Sequence, residues 1–320
     1  MTMIITSDLH LSDNPRDEYR FKVCKIIANY ARKVDATDIF ILGDITDSKD
    51  GHSASLTNRV VDVLHEMSDN RRIWIVAGNH DGIDQSTPFF KFLNHIGGLH
   101  FVTKIETLEF GNHIISLIPH GCWPLNLPDC DLILTHTTFR GARAGDFILE
   151  GTPVPRTAIP IVSGDIHVPQ TLGPVTYVGA PTLIDFGDDY KPRILRLDDN
   201  LNFTSVSIRA PAKKLVQWDG SLPQNTTPGD IVKVRVELPE GCTPEDIAIY
   251  RQDIKTWAQE AGVTINAIEM NVPKGSLPTK TTAAPRSDQE LVKSYAKAHS
   301  FDEQTIKVGL DIVAGVPNET

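Results

Sequence analysis

Cysteine is scarce in this 320-residue chain, and the four present (Cys24, Cys122, Cys130 and Cys242) form no C-x-x-C pair. A disulfide framework or a cysteine-based zinc site therefore has no basis, and a reduced, intracellular protein is the expectation. Long apolar runs are lacking too. None approaches the roughly 18 residues that a membrane helix requires. The opening residues Met1-Thr2-Met3-Ile4-Ile5 have no basic flank of the kind a signal peptide carries, so a cytoplasmic protein with no membrane association is expected. The motifs G-x-S-x-G, G-x-x-x-x-G-K and G-x-G-x-x-G are absent, which leaves serine hydrolase, P-loop ATPase and dinucleotide-binding readings unsupported. Positive charge is short: 31 Lys and Arg stand against 41 Asp and Glu, for a net charge of −10. Binding to nucleic acid through overall charge is disfavoured, although a local basic strip or bound metals could still serve. There is no internal repeat and no low-complexity tract. With 40% hydrophobic and 22% charged residues, the chain reads as one full globular domain plus a smaller one.

Against these absences stand five short apolar runs, each followed by metal-ligating residue types. Met3-Ile4-Ile5 leads to Asp8 and His10, and Ile39-Phe40-Ile41-Leu42 to Asp44. Ile73-Trp74-Ile75-Val76 leads to Asn79, His80 and Asp81; Leu132-Ile133-Leu134 to His136; Ile159-Pro160-Ile161-Val162 to Asp165 and His167. Such runs read as strands buried on both faces, and open parallel sheets bind ligands beyond the carboxyl ends of their strands. Five in order describe a dinuclear metal site.

The individual signals differ in weight. Asp8-Leu9-His10 aims two ligands to one side if the segment is extended, yet alone it is a common surface pattern. Asp44 could be a helix cap, but the next helical pattern begins some ten residues later, where Ser53 suits the cap better. Gly78-Asn79-His80-Asp81 is the most specific stretch. Asn79 offers an amide oxygen, His80 suits a general acid, and Asp81 could hold its imidazole. A lone histidine such as His136 is most often structural; its strand-end position shifts that prior. His120 reads as a loop residue that could line the cleft. His52, His65, His95, His100, His113 and His299 read as surface or helix residues.

Around these sites the first half alternates strand and helix, with helical patterns at about Glu18 to Val34, Ala54 to Met67 and Pro88 to Ile96. That order implies a parallel sheet with right-handed crossovers. Phe101 to Pro119 reads as a hairpin turning at Gly111-Asn112, and short strands follow between Val175 and Ile208, so a second sheet packed on the first is expected. Residues 210–230 read as a linker. Ile231 to Leu238, Pro244 to Ala261 and Val263 to Met270 form a small β-α-β unit. Residues 271–286 read as a connector, and the chain ends in helical patterns at Gln289 to Ala298 and Glu303 to Val313. The implied division is 1–220, 221–275 and 276–320.

Taken together, D-x-H, G-D-x-x-D (Gly43 to Asp47), G-N-H-D, a lone histidine and G-x-x-H resemble the calcineurin-like metallophosphoesterase family over roughly the first 190 residues. Gly164-Asp165-Ile166-His167-Val168-Pro169-Gln170, then Tyr177-Val178-Gly179-Ala180-Pro181 and Asp185-Phe186-Gly187, narrow the resemblance to the SbcD-type DNA repair nucleases. The resemblance implies an α/β fold: a four-layer sandwich of two mixed sheets flanked by helices, with a small α/β cap and a helical C-terminal tail. It implies two divalent metal ions, manganese before magnesium, iron or zinc. Asp8, His10, Asp44 and His167 would hold the first; Asp44, Asn79, His136 and Asp165 the second. His80 would be the general acid, oriented by Asp81. The family usually has G-H-x-H where this chain has Gly164-Asp165-Ile166-His167, and a carboxylate can still ligate manganese or magnesium. The implied substrate is DNA, and the implied partner is an SbcC-type ATPase bound through the C-terminal helices, with a homodimer a further option. Two other functions share the motifs: a phosphoesterase of small molecules or phosphoproteins, and a metal-binding regulatory subunit of such an ATPase.

Overall fold

The computed structural model describes residues 2–271 apart from 85, 221, 222 and 224, together with 292, 293, 296 and 303–313. The chain divides into two compact units, Met1–Val236 with Arg251–Glu269, and Glu237–Tyr250 with Met270–Thr320.

Strand β1 (Met3–Thr6) is followed by helix α1 (Glu18–Lys33), β2 (Asp38–Leu42), α2 (Ala54–Met67), β3 (Arg72–Val76), a 3-10 helix at Phe89–His95, and β4 (Leu99–Val102). Ser53 caps α2, its hydroxyl accepting the Leu56 amide at 3.0 Å. The hairpin β5 (Glu106–Phe110) and β6 (His113–Ile118) turns through Gly111 at φ +62°. Then come β7 (Leu132–Thr135), a two-residue hairpin β8 (Arg143–Ala144) and β9 (Phe147–Ile148), β10 (Ile161–Ser163), β11 (Gln170–Leu172), β12 (Val175–Tyr177), β13 (Arg193–Leu197) and β14 (Phe203–Ser207). The chain continues through β15 (Lys213–Trp218), β16 (Ile231–Glu237), α3 (Pro244–Ala261) and β17 (Thr264–Asn271), and a helix α4 occupies Glu303–Val313.

Two six-stranded mixed sheets result, ordered β14-β13-β1-β2-β3-β4 and β11-β12-β10-β7-β6-β5, with a three-stranded sheet β15-β16-β17 beside them in the list of pairings. Strands β1 to β4 run parallel, as do β6, β7, β10 and β12. Their alternation sorts the core into layers. Ile4, Ile39, Ile41, Ile73 and Ile75 meet Val23 and Ile27 of α1 and Val60 and Leu64 of α2. The opposite face of the same strands, Met3, Ile5, Phe40, Leu42, Trp74 and Val76, packs on Ile115, Leu117, Leu132, Leu134 and Val162 of the second sheet. The outer face of that sheet, with Ile133, Ile161, Val175 and Tyr177, is covered by Cys130, Phe139 and Ala142. These covering residues lie in loops, so the described residues place helices over the first sheet and loops over the second.

Three local expectations change. Phe101 belongs to β4 of the first sheet, and the hairpin begins only at Glu106. The Pro88 to Ile96 stretch is 3-10 rather than α-helical. Residues 213–218, inside the stretch expected to be linker, form β15 in parallel register with β16. Val216 and Trp218 alternate inward there, a pattern that the surrounding Pro and Gly conceal. Helix α4 has the expected bounds; most of Gln289 to Ala298, and all but the first residue of the 271–286 connector, lie outside the described residues.

Phe40 sits at the centre of the inter-sheet layer, fully buried between Trp74 at 6.4 Å and Phe110 at 5.5 Å between ring centroids. Phe40→Ala should cost about 3–5 kcal/mol, through lost apolar burial and the cavity left behind. Urea unfolding followed by tryptophan fluorescence should show a lower midpoint with an unchanged slope.

Candidate metal centre

The loops beyond the carboxyl ends of β1, β2, β3, β7 and β10 converge on one point. Backbone pairing continues past the first two strands: the Asp8 amide donates to the Gly43 carbonyl at 3.1 Å, and the His10 amide to the Asp44 carbonyl at 3.0 Å. Asp8, His10, Asp44 and Asp165 all hold left-handed backbone, at φ +52°, +45°, +55° and +76°. Non-glycine residues adopt that conformation at a cost, and such strain gathers at functional sites. This also replaces the expected reason for the D-x-H geometry. The segment is not extended; two left-handed residues flank the buried Leu9 and aim their side chains together. The convergence requires glycine at two places. A Cβ on Gly43, itself at φ +81°, would overlap the His136 imidazole, and one on Gly78 would overlap the Asp44 carboxylate.

Asp8, His10 and His167 each present an atom within 4.8 Å of the others, and so do Asp8, Asp44 and His136. Asp44 faces both groups: Oδ2 lies 3.7 Å from His10 Nε2, and Oδ1 3.4 Å from His136 Nε2. His136 Nε2 lies 2.9 Å from Asn79 Oδ1 and 3.6 Å from Asp165 Oδ1. All seven expected ligand residues therefore meet, with Asp165 on the His136 side, where its other oxygen takes the Thr138 hydroxyl. His136 Nδ1 is engaged by the Leu42 carbonyl at 2.7 Å, which assigns the proton to Nδ1 and turns the Nε2 lone pair toward Asp44 and Asn79.

These residues fit a pair of cations. Asp8 Oδ2 is buried without a hydrogen-bond partner, an expensive arrangement for a carboxylate oxygen. The Nε2 atoms of His10 and His167 face each other at 3.1 Å, so two lone-pair positions point into one space. The electrostatics reflect the same crowding. Burial, aided by Asp44, raises the Asp8 pKa to about 6. Burial opposes charging of His136, but Asp44, Asp8 and Asp165 outweigh it and raise its pKa to about 9. Burial and the neighbouring His10 lower His167 to about 4, keeping it the neutral base that metal ligation requires. Burial also works against the Asp44 charge; His136 and His10 reverse that and hold its pKa below the usual carboxylate range.

His80 lies beside this cluster. Its ring meets His10 edge-on at 5.3 Å, its Nδ1 engages the Asp47 carbonyl at 2.6 Å, and its amide donates to Asp44 Oδ1 at 2.9 Å. Asp81 does something other than orient that ring. Fully buried, its carboxylate accepts the amides of Gly78 at 2.7 Å, Ile45 at 2.9 Å and Asp44 at 3.0 Å. Asp81 clamps the β2 loop to the β3 loop, and the expected His80 contact is corrected on that ground.

Asp47 was quoted only as the end of G-D-x-x-D, but it orients a ligand: Oδ1 lies 3.0 Å from His10 Nδ1, and Oδ2 accepts Arg20 Nη1 at 3.0 Å. The motif is the only signal for it; nothing in the sequence identifies Arg20. His120 is also drawn in, its amide donating to the Ala77 carbonyl at 2.9 Å and its ring lying 6.0 Å from His136. His52 and His100 pack on Phe89 and Trp74, as structural residues do.

The geometry can be set beside known proteins. Residues 1–191 match the model of the calcineurin-like phosphoesterase family. The chain belongs to that family. It is accordingly a metal-dependent phosphoesterase, and its Asp and His groups could hold the divalent ions such enzymes use. No curated protein matches the chain. Among solved structures it is similar to YfcE, a phosphoesterase from E. coli, with 17% identity, 65% of this chain and 100% of that one covered, and a TM-score of 0.35. It is also similar to the Pseudomonas putida nuclease MPE, with 12% identity, 64% and 73% coverage, and a TM-score of 0.35. Among the described residues, no helix is long and apolar enough to cross a membrane.

Replacing Asp81 with alanine leaves three inward amides unanswered. Asp81→Ala should destabilise the phosphoesterase by about 3 kcal/mol or more in chemical denaturation, as expected for hydrogen bonds to a charged group. His80→Asn should leave stability nearly unchanged. Equal effects of the two substitutions would contradict the clamp.

Proposed function

We propose that the chain is a manganese-dependent phosphodiesterase acting on DNA, of the SbcD type. The observation that supports it most is Asp44, whose two oxygens face two separate imidazole groups while His80 stands at the rim. In this reading Asp8, His10, Asp44 and His167 hold one cation, and Asp44, Asn79, His136 and Asp165 hold the other. When bound, the pair supplies positive charge opposite the phosphoryl oxygens and acidifies water. DNA as substrate rests on the resemblance of the Gly164-to-Gly187 motifs, and the chain's net negative charge does not oppose it when cations supply local positive charge.

The chain's own residues account for the rest of the chemistry. The Asp47 carbonyl fixes His80 Nδ1 as the hydrogen-bonding nitrogen, so Nε2 carries the transferable proton. A water oxygen bonds to phosphorus as the ester P–O bond breaks. The departing oxygen takes the proton from His80, which is replenished by the proton the water releases. Asp47 and Arg20 keep His10 in position through this exchange.

Incubation with linear DNA and with bis-p-nitrophenyl phosphate, each with manganese, tests the reading. Both should be cleaved, and Asp44→Asn should abolish both. His80→Asn should lower turnover about 10² to 10⁴-fold, the range of general acid catalysis, with metal content unchanged. Loss of a metal from the His80 variant would make His80 a ligand. Cleavage of the aryl ester without DNA would place the substrate among small molecules.

The partner proposal rests on the same resemblance and on α4, where Ile306 and Leu310 are half-buried while Val308 and Val313 stay exposed, at 45% and 39%. A short helix with an apolar stripe is marginal alone. Deleting residues 287–320 should abolish co-purification with an SbcC-type ATPase while sparing cleavage of short substrates. A truncated protein without intrinsic cleavage would assign the tail to the catalytic body.

A further inference from the structure

A cleft of about 450 Å³ opens beside the centre, on one side only. Its inner wall is Asn79, whose Oδ1 faces His136. Ile83, Pro88 and Pro119 give it apolar walls, and His120 and Lys49 add a planar ring and a cation. Ile83 is an isoleucine left 66% exposed, on a loop that the Gly82–Pro88 bridge ties back. The position of His120 is built in, because its amide bonds to the Ala77 carbonyl and so fastens the end of β6 to the end of β3.

His80 lies on the other side of the centre. Its ring meets His10, and His10 meets His167 at 5.0 Å, whereas the cleft side is made by Asn79, His136 and His120. A phosphodiester carries two ester groups. If the group that departs must sit within reach of His80, the group that stays on phosphorus is directed toward Asn79 and the cleft.

We propose that this cleft is a subsite for the retained group, and that it takes a nucleoside, so that hydrolysis leaves the phosphate on the nucleoside held there. This rests on the phosphodiesterase reading above and adds which half of the substrate is recognised. The volume falls within the range of small-ligand sites, and mixed apolar and polar walls suit a planar base that stacks on one face and offers hydrogen-bonding edges. Lys49 suits a phosphate entering the cleft mouth.

Two esters with one leaving group test the proposal: thymidine 5′-p-nitrophenyl phosphate and methyl p-nitrophenyl phosphate, assayed with manganese. Wild-type kcat/KM should favour the thymidine ester by about ten-fold or more, the scale of discrimination expected when an apolar pocket is filled. Ile83→Asn and His120→Ala should each lower that ratio severalfold. Ile83 is surface-exposed, so its variant can be checked for unchanged unfolding. Equal wild-type values, or a preference that both substitutions leave intact, would overturn the subsite while the phosphodiesterase reading stands. Hydrolysis of neither ester would overturn both.

Discussion

The Asp81 carboxylate and the three amides it holds are the contact on which the rest of the site depends. A fully buried carboxylate is costly, and burial, with Asp44 nearby, raises its pKa. The amides of Gly78, Ile45 and Asp44 offset that cost, and in doing so fix the β2 and β3 loops against each other. Asp44 is then held in left-handed backbone with its two oxygens toward opposite imidazoles, and the His80 amide closes onto Asp44 Oδ1. One charged group at the base thus positions the bridging carboxylate and the acid at once, without facing either reaction partner.

Above that base the site gathers charges that repel or compete in a dry setting. Asp8 retains an unpartnered oxygen, His136 is drawn toward its charged form by three carboxylates, and His167 is driven toward its neutral form by burial and His10. Such an arrangement is unfavourable for protein groups alone and suited to cations. The two halves differ in donor chemistry. The His10 and His167 side is balanced between nitrogen and oxygen, while the His136 side adds Asn79 and Asp165 to the shared Asp44. An oxygen-rich set favours harder ions such as manganese or magnesium over softer ones.

Much of this was legible in the sequence because burial on both faces of a strand produces an unbroken apolar run, and a run needs no knowledge of its partners. The strands ending before Asp8, Asp44, Asn79 and His136 could be read that way, as could α1, α2 and the cap Ser53. Misreadings occurred where local composition masked pattern. Proline and glycine around 210–230 hid the alternation of β15, and Phe101 was joined to the hairpin because nothing local tells an edge strand of one sheet from the first strand of the next.

The sequence by itself determined which residue types stand at the strand ends, and hence that a metal-dependent phosphoester chemistry was available, since ligand identity and order are local facts. Tertiary structure alone decided that Asp81 clamps backbone rather than an imidazole, that Arg20 and Asp47 hold His10, and that His120 stands beside Asn79 at a cleft. Those contacts join residues 10 to about 40 positions apart, through loops whose left-handed turns no periodicity announces. Side-chain direction at such turns is set by packing against the other strand ends, and so exists only once the sheets have formed.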